Sequence, residues 1–152
     1  MSQAHSNQDA LDSVSTPARQ ADVFASVLVD EDRGRISCEA RDSDAPATYH
    51  ATLSSDGWAV SLETSDRWLS ESIESDLVHV GDSIEELIEE ELADLGLDAS
   101  KPKVEHYRSE DMLYTFRTPL SPDVGPDEAA TWLLAYEAAF RELGDMSTEP
   151  ED

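Results

Sequence analysis

The side chains best suited to chemistry here are four histidines, one cysteine and a large excess of carboxylates. His5, His50, His79 and His106 fall in four separate segments and form no HxH, HxxxH or HExxH pair, the spacings that place two imidazoles on one metal ion. His50 alternates with Thr48 and Thr52 on one strand face, which predicts a solvated position. His79 and His106 lie in short stretches read as extended, with Asp82 and Glu105 close in sequence. Brought together over a pocket, they would make a small metal-dependent or hydrolytic enzyme, the alternative reading. Cys38 shares a strand face with Ile36 and Ala40 and is expected in the core, because a reactive thiolate needs positive charge nearby. One cysteine also excludes an internal disulfide.

Other constellations are incomplete. The glutamates of residues 83–95 lie off the apolar stripe of their helix, without the Glu-x-x-His element of a carboxylate metal centre. Asp30-Glu31-Asp32 with Gly34 lacks the twelve-residue calcium-loop pattern. No phosphate-binding or nucleophile-elbow glycine motif is present. No metal and no cofactor is implied.

The elements that must position these groups carry the charge. The 152 residues hold 35 Asp+Glu against 10 Lys+Arg, a net charge of −25. Residues 1–21 contribute Asp9, Asp12 and Arg19, and residues 145–152 contribute four acids and no base, so most of the charge belongs to the middle. Three readings compete: a surface solvated in a salty medium, a surface shaped for a basic partner, and an acidic DNA mimic. Only Lys101 and Lys103 are lysines; this scarcity favours the saline reading, since a partner site explains added acids but not missing lysines. Such charge repels phosphate, so a nucleic-acid partner is not expected. No apolar run reaches the roughly 18–20 residues of a membrane span. Residues 1–14 lack a basic and then apolar leader, and a cytoplasmic location is expected.

Residues 1–21 are rich in Ser, Gln, Asn and Asp, include Pro17, and are predicted to be disordered. Residues 22–144 form the expected single domain, and residues 145–152 an acidic disordered tail. Val23–Val29 alternates as a strand, with Phe24 and Leu28 on the face opposite Val27, and returns through a Gly34 turn as Arg35–Ala40. Thr48–Leu53 and Trp58–Thr64 alternate about an Asp56-Gly57 turn. Residues 66–75 read as a short helix followed by an extended 77–80. Ser83–Leu95 is a helix with a Ser83/Glu86 capping box and Gly96 just past its end. A hairpin follows, 103–107 and 112–118, with Met112, Tyr114 and Phe116 on its apolar face. The last helix spans 127–143, with Ala129, Leu133, Tyr136 and Phe140 as its stripe. The sum is an α+β fold: an antiparallel sheet, a four-strand meander plus a second hairpin, packed against two main helices.

This order, with the helix Ser83–Leu95, the segment Met112–Thr118 and the helix Thr131–Phe140, resembles the type III secretion chaperone-like fold. That fold includes proteins labelled bacterial sensory transduction regulators. The resemblance covers about Val23–Leu143 and implies a small acidic protein that binds extended segments of other proteins without doing chemistry, often as a dimer. The function expected is therefore a non-enzymatic protein-binding, regulatory or chaperone-like module with a protein partner and a tendency to homodimerise. Phe24, Leu28 and Trp68 are its expected contact residues.

Overall fold

Strict alternation of apolar and polar side chains builds the sheet. A computed structural model describes residues 2–41, 46–81, 83–97, 102–109 and 111–141, together with 143 and 146. Its strands are β1 (Phe24–Asp30), β2 (Arg35–Ala40), β3 (Ala47–Ser54), β4 (Gly57–Thr64), β5 (Glu105–Arg108) and β6 (Tyr114–Pro119). Its helices are α1 (Ser2–Ala21), α2 (Arg67–Val80), α3 (Ile84–Asp94) and α4 (Pro126–Arg141). All neighbouring strands are antiparallel, in the order β1-β2-β3-β4-β6-β5. The meander and the second hairpin thus join into one sheet, with β6 inserted beside β4 and β5 left at the edge. β1 is the other edge.

Register explains the burial. Val27, Cys38, Tyr49, Leu62 and Phe116 stand in one cross-strand row, and Val29, Ile36, Ala51, Val60 and Thr118 in the next. These rows face the helices. Leu11, Val14 and Ala18 of α1 and Leu133, Tyr136 and Phe140 of α4 complete the same core, while Ile84, Ile88 and Leu92 of α3 pack as a second layer on α4. The Tyr136 and Thr118 hydroxyls meet 2.6 Å apart inside it. Cys38 is buried there and its thiol is pushed up to about 12 by desolvation, which keeps it protonated and unreactive.

Two turns need glycine. Gly34 has φ +60, and a Cβ on it would sit 2.8 Å from the Leu53 carbonyl oxygen, so the β1–β2 turn closes only without one. Gly96 takes φ +87 after α3, where the Leu97 N–H reaches the Leu92 carbonyl at 2.9 Å and the Gly96 N–H the Ala93 carbonyl at 3.0 Å. This is a Schellman ending. The Ser83 hydroxyl accepts from the Glu86 N–H at the other end, as the capping box predicts.

Four expectations change. Residues 1–21 are helical rather than disordered: α1 buries Leu11, Val14 and Ala18 under the sheet, so the domain begins within it. A β-bulge between Phe24 and Ser26 resets the alternation of β1, turning Phe24 inward onto Tyr49 at 5.6 Å between ring centroids. α2 continues through 77–80 because Leu69, Ile73 and Leu77 keep their i, i+4 spacing until Gly81, at φ +80, ends it. Met112 lies in the β5–β6 turn at φ 65, exposed, rather than on the strand's apolar face. Of the acidic tail, only Met146 is among the described residues, and it is buried. No described helix is long and apolar enough to cross a membrane.

Candidate functional site

The edge position of β1 creates a broad recess. The hydrogen bond from Leu53 N–H to Gly34 O at 2.8 Å fixes the phase of the β2–β3 ladder. By alternation, Ile36 and Cys38 bond to β3, so their β1 neighbours Val29 and Val27 turn their backbone groups outward. The Arg19 guanidinium from α1 crosses this edge and donates to the Val27 carbonyl at 3.3 Å. The Val27 N–H and both polar groups of Val29 remain as an open edge. Beside them lies a groove of about 810 Å3, lined by Asp12 and Arg19 of α1, Leu28, Val29 and Asp30 of β1, Glu31 and Asp32 of the turn, and Ser37. Leu28 is 65% exposed there. The bulge that buries Phe24 leaves Leu28 pointing out, so of the three expected contact residues Phe24 is withdrawn into the core. Trp68 is 76% exposed on the first turn of α2, well away from Leu28 in the sequence of elements. Sequence reasoning missed the groove because α1 forms one wall.

The histidines are drawn into two hydrogen-bonded networks. On the sheet face away from the helices, His50 Nε2 lies 2.6 Å from Glu63 Oε1 and its Nδ1 lies 3.0 Å from Ser37 Oγ. With the proton on Nε2, the ring donates to Glu63 and accepts from the serine hydroxyl. Strands β2, β3 and β4 flank one another, and His50 is 7% exposed rather than solvated. These strands are interior to the sheet, so their backbone N–H groups are committed to neighbours and supply no oxyanion donors.

Glu63 gains from this arrangement. Its carboxyl titrates below the usual 4.5, chiefly because His50 donates to it, with burial opposing and the charges of His50 and Arg35 assisting. A depressed folded-state value means that the stabilisation is complete above 4.5 and fades as pH falls through the folded value. We expect Glu63→Gln to lose about 1–2 kcal/mol near neutral pH, with the deficit narrowing in acid. Urea midpoints across the acid range check this; a pH-independent deficit would assign the loss to packing instead.

The second network clasps β5 to α2. The His106 ring stacks on Phe116 with centroids 3.9 Å apart, Nδ1 lies 3.0 Å from Glu74 Oε1, and Nε2 lies 3.4 Å from Ser70 Oγ. Carboxylate, imidazole and hydroxyl follow one another in the order of a nucleophilic triad. The hydroxyl, however, belongs to a serine only 2% exposed, and the Ser70 N–H already donates to the Asp66 carbonyl at 3.3 Å. Ser70, Glu74 and His106 line a cavity of about 280 Å3 together with Arg67, Glu71, Tyr107, Arg108 and Tyr114, but the Ser70 N–H, being committed to Asp66, is not available as an oxyanion donor beside the hydroxyl. The expected grouping of His79 with His106 does not form this site: Glu74 holds His106, Glu105 pairs with Arg117 at 3.2 Å, and His79 is exposed at the end of α2. Asp82 is outside the described residues. Among those described, no group of three or more His, Cys, Asp or Glu side chains could hold a metal ion.

No protein-family model, curated protein or solved structure matches the chain. The functional reading therefore rests on the geometry of the molecule.

Proposed function

We propose that the chain is a non-enzymatic binding module that receives an extended segment of another protein along the edge of β1. One observation carries this reading: the outward-turned backbone of Val29, continued by that of Val27, lies at the groove beside the exposed Leu28 side chain. An added strand would satisfy the open N–H and C=O groups and set one apolar side chain against Leu28, the chemistry of β-augmentation.

The test places a photo-crosslinking residue at Leu28 and, separately, at Val78, which is 82% exposed on α2. In extract from the source cells, a protein adduct is expected at position 28 and not at 78. Val29→Pro removes an outward N–H without taking a hydrogen bond from the β1–β2 ladder, a substitution that sheet edges accommodate. It is expected to cut the position 28 adduct at least about tenfold while the circular dichroism spectrum stays unchanged. Adducts of equal yield at both positions, insensitive to Val29→Pro, would overturn the reading.

A further inference from the structure

The groove along β1 has a strong chemical bias. Four carboxylates, Asp12, Asp30, Glu31 and Asp32, line it against one guanidinium, Arg19, which is already engaged with the Val27 carbonyl. Asp30 is partly answered within its own turn, accepting from the Arg33 N–H at 3.3 Å with the Arg33 side chain 3.7 Å away. Asp12, Glu31 and Asp32 are exposed. They stand on both walls of the groove, one on α1 and two on the turn, so an occupant meets negative charge on either side of its backbone.

Resting on the reading above, we infer that the segment received there is basic: Lys or Arg flanking an apolar side chain that covers Leu28. Opposite charge across a groove raises the encounter rate and rejects like-charged competitors. The same charge argues against the other obvious occupant, a second copy of this chain. Residues 22–32, the stretch a copy would offer for edge-to-edge pairing, contain Asp22, Asp30, Glu31 and Asp32 and no Lys or Arg. Pairing two such edges would bring only acids to an acidic groove. A basic strand instead exchanges repulsion for attraction at each of these positions.

Three blocked heptapeptides alternating Lys, Ser or Glu with Val are the probes, followed by fluorescence anisotropy. At low salt the Lys–Val peptide is expected to bind at least about tenfold more tightly than Ser–Val, with Glu–Val weakest, and raising NaCl to about 0.5 M should erase most of this preference. The triple variant Asp12→Asn, Glu31→Gln, Asp32→Asn should bring Lys–Val down to the Ser–Val level; Asp30 is kept because it braces the turn. Val29→Pro should abolish binding of both. Equal affinity of Lys–Val and Ser–Val would overturn the basic preference while leaving edge binding standing. Lys–Val binding that survives Val29→Pro would mean unspecific attraction to a polyanion, and it would also overturn the inference. A dimer in light scattering that Val29→Pro dissociates would give the edge to a second copy and overturn it too. Failure of every peptide together with failure of the position 28 adduct would remove the underlying reading as well.

Discussion

Deletion of residues 1–21 is expected to abolish cooperative folding. Leu11 and Val14 are completely buried and Ala18 nearly so, and α1 covers β1, β2 and β3 while packing along α4. Burying a Leu or Val side chain is worth about 1.5–3 kcal/mol, and the deletion also bares the parts of the sheet and of α4 that α1 covers. The total loss is on the order of 5 kcal/mol or more, comparable with the whole stability of a domain this size. Leu11→Ala isolates the effect without removing the helix and should cost about 2–5 kcal/mol. Urea unfolding followed by tryptophan fluorescence reads both. An unchanged midpoint after the deletion would mean that the segment is a dispensable tail, as its composition suggests.

That contrast shows what was legible. The sheet could be read because the alternation in Tyr49, Ala51 and Leu53, or in Trp58, Val60 and Leu62, is local and strict. α3 could be read because its cap, stripe and terminal glycine all agree. α1 has only Leu11, Val14 and Ala18 at helical spacing, set among polar residues and interrupted by Pro17. Such a helix draws its stability from tertiary contacts that no window of sequence contains. The spacing of those three residues was the signal available. Phe24 sits inside for a related reason: a bulge changes which face a residue occupies, and it is defined by pairing with β2 rather than by the β1 residues alone. The groove combines both difficulties, since one wall is α1 and the other is a strand made an edge only by the order of the sheet. Even so, the Asp30-Glu31-Asp32 turn and Leu28 were visible as an acidic run beside an outward apolar residue.

The charge itself enters the core at one point, where a second large effect is expected. Glu137, on α4, is only 6% exposed. The half-exposed Arg141 grips both its oxygens, through Nε at 2.8 Å and through a second nitrogen in closer contact. Tyr49 lies near enough that its hydroxyl is pushed well above its ordinary value, mainly by burial and then by the Glu137 carboxylate. Removing the guanidinium leaves this carboxylate in an apolar setting with its main counter-charge gone. We expect Arg141→Ala to cost about 3 kcal/mol, the low end for a broken buried pair because water reaches the arginine side. Glu137→Leu should cost far less: Leu has a similar volume, and the half-exposed Arg141 guanidinium stays hydrated. This ordering, read from urea midpoints near neutral pH, identifies the arginine as the group that permits an acid inside the core. Equal losses for the two single variants would instead make the pair an ordinary surface contact, whose two halves matter alike.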